Sequence, residues 1–135
     1  MNTSRACSTD TGTASEFLVC SMLMRMGFEA HITMSNKKSV DLRVIKDDTT
    51  WTIDVKAVRG YSSWIVNNVV ARHNHYVVLL CYNEMFEDVT KSPDVFVVPS
   101  ADIASVAKSF KDQKRVFKRD VVKYHNAWDL MHKSD

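Results

Sequence analysis

The chain has 135 residues, 45% of them hydrophobic, and its 18 basic and 16 acidic side chains give a formal net charge of +2. This length and composition are typical of one domain with its own buried core. The charge is too small to indicate a polyanion partner by itself, so any basic surface must come from local clustering.

Several protein classes are disfavoured by what the sequence lacks. Its three cysteines include no CxxC pair, which argues against a disulfide framework and a structural zinc site. No apolar run approaches the roughly 18 residues of a membrane-spanning helix. P-loop, dinucleotide-binding and serine-hydrolase motifs are also absent. We therefore expect a soluble, cytoplasmic protein with no membrane partner and no nucleotide cofactor.

The N-terminal part of the chain predicts a tail followed by a helix. Residues 1–11 are rich in serine and threonine, and we expect them to form a flexible tail, with a single domain over residues 12–135. The stretch "GTASEFLVCSMLMRMGF" places apolar residues at helical spacing and ends near Gly27, a common helix terminator. A short strand is expected in the following "EAHITM".

The stretches "SVDLRVI" and "TTWTIDVKA" alternate apolar and polar residues, as strands with one buried face do. A two-residue turn at residues 47–48 would join them into a hairpin in which Leu42 faces Ile53 and Asp41 faces Asp54. A one-residue slip would oppose apolar to polar positions throughout. The register therefore brings two carboxylates together.

The remaining sequence predicts further strands and two helices. The stretch "IVNNVVARHNH" favours an irregular segment, the alternative being a short strand at residues 64–66 followed by a helical turn. The apolar run "YVVLLCY" after it is typical of a central strand buried on both faces. "DVFVVP" predicts another strand, and "SADIASVAKSFKDQ" an amphipathic helix capped by Ser100. "RDVVKYHNAWDLM" predicts a terminal helix with Val121, Tyr124, Trp128 and Met131 facing inward. This order predicts a mixed α/β (α+β) fold with one central sheet flanked by helices.

The opposed carboxylates indicate a metal site. Like charges directly opposite one another destabilise a strand pair. A divalent cation offsets that repulsion, since Mg²⁺ is commonly held by one or two carboxylates with phosphate and water. Lys56 lies two residues beyond Asp54 and so on the same face, where an ammonium group can orient a water or stabilise charge developing on a phosphate. Asp41, Asp54 and Lys56 form a set suited to metal-dependent phosphodiester hydrolysis.

At these residues the sequence resembles the PD-(D/E)XK nuclease superfamily. The match is "VD" at residues 40–41 and "DVK" at residues 54–56, with Val40 in place of the usual proline before the first acid. The predicted first helix, which contains Glu16, resembles that of the resolvase-like and restriction-like branches. The resemblance covers residues 12–82 and implies a restriction-endonuclease-like αβββαβ core.

The resemblance also implies a site and a reaction. Asp41, Asp54 and the main-chain carbonyl of Val55 would bind Mg²⁺ or Mn²⁺. Lys56 would position or activate the attacking water, and Glu16 would hold a second metal or the hydration shell. DNA would be cut to leave a 5′-phosphate and a 3′-hydroxyl, by a homodimer, as is usual among such relatives. Glu16 has an alternative role, because the stretch "TASE" that it closes is a capping box.

Basic and aromatic residues indicate where nucleic acid would bind. Residues 108–123 carry seven Lys or Arg against two Asp, a pattern of either a phosphate-binding stripe or a solvated basic face. Arg43 is either a phosphate contact or the ion-pair partner of Asp41. The candidates for contacting the backbone or stacking on a base are Arg43, Arg59, Tyr61, Lys114, Arg115 and Lys118.

The functional hypothesis is a metal-dependent endonuclease that hydrolyses phosphodiester bonds of DNA. The alternatives are a catalytically inactive nucleic-acid-binding or assembly module with the same fold, and an RNA-directed nuclease. A third interpretation of the charged residues is a solvated strand face on which Lys56 neutralises both acids. His73 and His75 form an HxH pair without a companion ligand at zinc spacing, so we expect them in a loop.

Overall fold

One long helix, eight strands and several short helical segments make up the described part of the chain. A computed structural model of the protein describes residues 8–33, 40–60 and 63–132. The helices are α1 (Ser8–Arg25), α2 (Ser100–Val106) and α3 (Asp129–His132), with 3-10 turns at Lys118–Asp120 and Val122–Tyr124. None of these helices combines the length and apolar character that crossing a bilayer requires. The strands are β1 (Glu29–Ile32), β2 (Leu42–Lys46), β3 (Thr49–Val58), β4 (Ser63–Ile65), β5 (His75–Cys81), β6 (Asp94–Pro99), β7 (Ala107–Ser109) and β8 (Lys114–Phe117).

A five-stranded mixed sheet in the order β1-β2-β3-β5-β6 forms the centre of the fold. Neighbouring strands are antiparallel except β3 and β5, which run parallel. α1 packs on one face of the sheet, where Val19 and Leu23 join Leu42 and Ile53 in a fully buried core. The predicted mixed α/β architecture with one central sheet flanked by helices is confirmed, but between β3 and β5 the described residues form β4 and turns where the implied αβββαβ core has a helix.

A second sheet, which the sequence did not predict, covers the other face of β5. It has three strands in the order β4-β8-β7. Trp64 of β4 and Val116 of β8 pack with Val77 and Leu79 of β5 in a second buried core. Because both faces of β5 are covered, all of its residues are buried, as its continuous apolar run predicted.

The β2–β3 hairpin has the register that the sequence predicted. Leu42 faces Ile53, so the apolar residues of both strands share the face that α1 covers. Asp47 and Asp48 form the turn with φ angles of 50° and 65°. Two-residue hairpin turns of this kind require the left-handed conformation at both positions, which Asp tolerates better than most residues. Turn chemistry and hydrophobic pattern therefore agree on one pairing.

α1 begins earlier than predicted, and residues 8–11 of the expected tail are helical. The helix is extended because Thr11 is buried and its hydroxyl accepts a hydrogen bond from Arg59 Nε at 2.7 Å, which ties the first turns to the end of β3. Thr13 therefore lies inside the helix and not at its N-cap. The capping-box interpretation of Glu16 is wrong.

The predicted amphipathic helix over residues 100–113 is shorter than expected. α2 ends at Val106, and the chain turns back as β7 and β8, which places Val116 in the second core. Burial of that hairpin overrides the local helical pattern. Ser100 does not cap α2 with its side chain; instead its hydroxyl donates to the Arg72 carbonyl at 3.1 Å.

The predicted terminal helix is replaced by two 3-10 turns and the short α3. Asn126 has a φ of 51°, which a right-handed helix does not accommodate, and its N–H donates to the Val95 carbonyl at 2.8 Å. Val121, Tyr124 and Met131 are nevertheless buried, so their predicted inward packing is confirmed, whereas Trp128 is only partly buried against the core.

An ion pair at the start of β6 makes part of the stability depend on pH. Asp94 Oδ2 accepts hydrogen bonds from Lys118 Nζ at 2.8 Å and from Asn83 Nδ2 at 2.9 Å. These bonds, that of Lys118 foremost, hold the pKa of Asp94 below its usual range. Since the folded pKa is the lower one, this contribution is present above about pH 4, the unfolded value. It is lost as the pH falls toward the folded pKa.

We expect Asp94→Asn to lower the free energy of unfolding near pH 7 by at most about 1 kcal/mol, because both partners of the ion pair are about a third exposed. The deficit relative to wild type should shrink near pH 3, because the unfolded chain then holds a proton on Asp94 that the folded ion pair disfavours. Urea unfolding of both proteins at the two pH values measures it. An equal deficit at both would show that the carboxylate charge contributes nothing.

Candidate active site

Asp41 stands where the β2–β3 hairpin opens. Its N–H donates to the Ile53 carbonyl at 2.9 Å, although Leu42 is already the register partner of Ile53. Two residues thus oppose one, as in a β-bulge, a feature that re-aims side chains. The Asp41 carboxylate consequently accepts a hydrogen bond from the Val55 N–H at 2.7 Å. Asp41 and Asp54 were predicted to lie directly opposite each other. Because of the bulge, the Asp41 carboxylate instead binds the N–H of Val55, the residue that follows Asp54.

Asp54 projects from the middle of β3 on the face opposite α1. Its neighbours Ile53 and Val55 pack in the core beneath α1, and side chains alternate along a strand. The Asp54 side chain is 18% exposed, and its Oδ2 lies 3.1 Å from Nε2 of His75. One oxygen of this carboxylate is therefore held by the protein, and Oδ1 makes no hydrogen bond with any described residue.

Lys56 follows Asp54 on the same face and lines a cleft of ≈ 340 Å³ between β3 and the small sheet. The cleft is also lined by Ser63, Ile65 and Arg115. Within the described ranges, Lys56 has no hydrogen bond or ion pair. The interpretation in which Lys56 neutralises the two acids therefore lacks the contact that it requires.

Glu16 is half-buried in the N-terminal half of α1. α1 packs on the Ile53 face of the sheet, whereas Asp54 projects from the other face. No three His, Cys, Asp or Glu side chains of the described segments gather closely enough to hold a metal ion. Glu16 is thus not brought together with Asp41 and Asp54 as a third ligand in this arrangement.

The donor set suits a hard cation that keeps much of its hydration. The Asp41 carboxylate is held by the N–H of Val55, the residue that follows Asp54 in sequence, and both aspartates offer carboxylate oxygens. Mg²⁺ prefers oxygen ligands and is usually bound by one or two carboxylates with waters and substrate phosphate, not by a full protein cage. The residues present therefore fit Mg²⁺ or Mn²⁺ bound through few protein ligands.

Comparison with solved structures identifies the fold. The chain is similar to a bacterial homing endonuclease, I-Ssp6803I, with a TM-score of 0.67 and 15% sequence identity, over 96% of this chain and 95% of that chain. It is also similar to Hjc, a Holliday junction resolvase from Archaeoglobus fulgidus, with a TM-score of 0.63 and 14% identity, over 90% and 96% of the two chains. The chain has the restriction-endonuclease-like fold.

The restriction-endonuclease-like fold that the resemblance implied is therefore confirmed by the structures of a homing endonuclease and a Holliday junction resolvase. No protein-family model matches the sequence, and no curated protein does so significantly. The restriction-endonuclease-like fold of this chain is therefore recognised from its structure and its short acidic motifs, because sequence identity to the two nucleases is low.

Three of the predicted nucleic-acid contacts are available at the surface of this fold. Arg43 and Lys114 are exposed, and Arg43 forms no ion pair with any described residue, so its alternative as a partner of Asp41 is not observed. Arg115 lines the cleft with Lys56, and its Nη1 donates to Ser63 Oγ at 2.8 Å. Arg43 is the register partner of Thr52 and so lies on the same face of the sheet as Asp54.

Two other predicted contacts are engaged inside the fold. Arg59 stacks its guanidinium 4.5 Å from the Phe86 ring centroid, and the Lys118 ammonium is 2.8 Å from Asp94 Oδ2. Their charges are thus directed to intramolecular partners. Tyr61 lies outside the described residues.

His75 is the residue of this region that the sequence analysis missed. We expected it in a loop with His73, but it is the first residue of β5 and is buried. Its signal in the sequence is faint: it directly precedes the long apolar run, so it enters the sheet with that run. The side chains that His75 contacts depend on the parallel pairing of β3 with β5, which places His75 opposite Thr52.

Proposed function

We propose that this protein is a metal-dependent endonuclease that hydrolyses phosphodiester bonds of DNA at Asp41, Asp54 and Lys56. The observation that carries the proposal is the bulged opening of the hairpin, where the Asp41 carboxylate is seated on the Val55 N–H at 2.7 Å. Asp54 and the unpaired Lys56 stand on either side of Val55 in sequence. The fold shared with a homing endonuclease and a Holliday junction resolvase supports the same class of reaction.

In this proposal, Asp41, Asp54 and the main-chain carbonyl of Val55 hold Mg²⁺ or Mn²⁺. When bound, the cation supplies positive charge that polarises the scissile phosphate. Glu16 takes no part in this proposal, because α1 packs on the face of the sheet opposite Asp54. The hydrogen bond from Val55 N–H keeps one oxygen of Asp41 fixed, so its orientation does not depend on the cation.

Lys56 is assigned the handling of the attacking water. Its ammonium group donates hydrogen bonds, which orient the water toward phosphorus and stabilise negative charge as it develops. The water oxygen forms a bond to phosphorus while the bond from phosphorus to the 3′-oxygen breaks. The water releases a proton to solvent, and the departing 3′-oxygen takes one up from solvent. The products are a 5′-phosphate and a 3′-hydroxyl.

The cleft beside Lys56 is the proposed path of the DNA backbone, with Arg115 as a phosphate contact. We expect Arg115→Met to weaken duplex binding and to lower the slope of log affinity against log salt by about 1, because one phosphate contact is lost. Lys118→Met should leave the slope unchanged, since Lys118 is paired with Asp94. Fluorescence anisotropy with a labelled duplex, without divalent metal, measures both slopes.

Lys118→Met is the matched control for this prediction, because it removes the same charge from a neighbouring position. Equal slopes for the two variants would contradict the assignment of the cleft as the DNA path.

The substrate class is tested by incubating the protein and Mg²⁺ or Mn²⁺ with labelled duplex, branched and single-stranded DNA and with RNA. We expect cleavage of at least one DNA form and none of RNA. Cleavage of RNA alone would favour an RNA-directed nuclease, and binding without cleavage would favour an inactive module. A homodimer, which would present one site to each strand, is proposed as the working state, and sedimentation with and without duplex measures its stoichiometry.

A further inference from the structure

His75 combines burial with two polar contacts that no step above uses. Its side chain is 1% exposed. Nδ1 lies 2.6 Å from Thr52 Oγ1, and Nε2 lies 3.1 Å from Asp54 Oδ2. A single imidazole therefore bridges two side chains that stand on the same face of β3.

With Asp54 ionised and the imidazole neutral, the chemistry of the three groups sets the direction of both hydrogen bonds. An ionised carboxylate only accepts, so Nε2 must carry the proton that it donates to Asp54. In a neutral imidazole the other nitrogen then accepts, and the Thr52 hydroxyl is the donor to Nδ1. The result is a directed chain from Thr52 through His75 to Asp54.

The backbone holds this chain in place at both ends. Thr52 and His75 are register partners of the parallel β3–β5 pair, and the Thr52 N–H donates to the Asn74 carbonyl at 2.9 Å. The imidazole cannot turn away without breaking contacts in a region where the strand is buried. The orientation of the Asp54 side chain is thus limited by His75, whose own orientation is limited by Thr52 and the strand pairing.

We propose that His75 is a positioning residue for metal binding, with Thr52 setting its tautomer. The hydrogen bond to Oδ2 fixes the Asp54 rotamer and leaves Oδ1 as the oxygen presented to a divalent cation. Outer hydrogen bonds of this kind orient ligands and raise metal affinity, and their loss typically costs 10- to 100-fold. This inference rests on the proposed function, because it assumes that Asp54 binds the cation.

The test is calorimetric titration of Mn²⁺ into wild type and four variants, without DNA. We expect His75→Leu to weaken binding by about 10- to 100-fold. His75→Gln should recover much of the affinity, because its amide N–H can replace Nε2–H. Thr52→Val should weaken binding less, while Thr52→Ser, which keeps the hydroxyl, should match wild type.

A spectroscopic readout separates positioning from a merely structural role. The ¹⁵N shifts of the His75 ring should show the Nε2–H tautomer in wild type and Thr52→Ser, and a mixed state in Thr52→Val. This measurement needs neither metal nor activity, so it holds even where His75→Leu fails to fold.

Unchanged Mn²⁺ affinity in the folded His75→Leu and Thr52→Val variants would overturn the inference. If wild type still bound Mn²⁺ through Asp54, the proposed function would stand. An Nδ1–H tautomer in wild type would overturn the inference equally. Wild type that neither binds Mn²⁺ nor cleaves DNA would instead remove the proposed function, and the inference with it.

Discussion

Asp54→Asn should abolish measurable Mg²⁺ and Mn²⁺ binding while leaving the metal-free protein as stable as wild type or slightly more so. The amide keeps an oxygen that can accept from His75 Nε2, which is 3.1 Å from Oδ2 in wild type, so the local packing survives. The negative charge needed to bind a hard cation is lost. We expect the metal-free free energy of unfolding to change by less than about 1 kcal/mol.

Calorimetric titration of metal and urea unfolding with and without Mn²⁺ measure both effects. Mn²⁺ should stabilise wild type, because a ligand that binds only the folded state shifts the equilibrium toward it, and should leave the variant unaffected. Asp48→Asn is a matched control, because it makes the same chemical change at an exposed turn position. A large loss of metal-free stability in Asp54→Asn would make Asp54 a structural residue and contradict the account.

Lys56→Met should lower the rate of DNA cleavage by about 10²- to 10³-fold, the range for loss of one group that stabilises developing charge. Metal affinity should stay within about threefold of wild type, since Lys56 contributes no ligand. The methionine side chain keeps the apolar stem that lines the cleft and removes only the ammonium group. Single-turnover cleavage with saturating enzyme isolates the chemical step.

Lys91→Met is the control, because Lys91 is exposed in the segment between β5 and β6. Lys56→Arg should not restore the rate, because a planar guanidinium does not replace a compact ammonium at a single water. Full activity in Lys56→Met would remove Lys56 from the mechanism, and equal loss of metal affinity and rate would assign it a role in shaping the metal site.

The hairpin was predictable because two independent signals agreed. The alternation of apolar residues indicated which face of each strand is buried, and the turn residues Asp47 and Asp48 indicated the register. Leu42 was therefore correctly predicted to lie opposite Ile53. The bulge at Asp41 was not predictable from that pattern. At this position the Asp41 carbonyl also accepts a hydrogen bond from the Thr33 N–H, just after β1, at 3.0 Å. The local geometry of Asp41 therefore depends on β1, β2 and β3 together, and a pattern within two strands does not contain it.

The contacts that the sequence missed are those between distant segments. His75 reaches Asp54 only because a parallel crossover returns β5 to β3, and a lone histidine carries no spacing signal. Likewise, the helix predicted after Ser100 is too long, because the chain forms a hairpin in which Val116 is buried against Trp64. In both cases tertiary packing decided what local pattern could not.

The most direct test of the central claim is nicking of supercoiled plasmid DNA by wild type and Asp54→Asn, each with Mn²⁺ and with excess chelator. We predict nicked or linear product only for wild type with metal, and ends that carry a 5′-phosphate and are ligated directly. Cleavage that persists in Asp54→Asn, or that continues in chelator, would contradict a metal-dependent site at Asp41, Asp54 and Lys56.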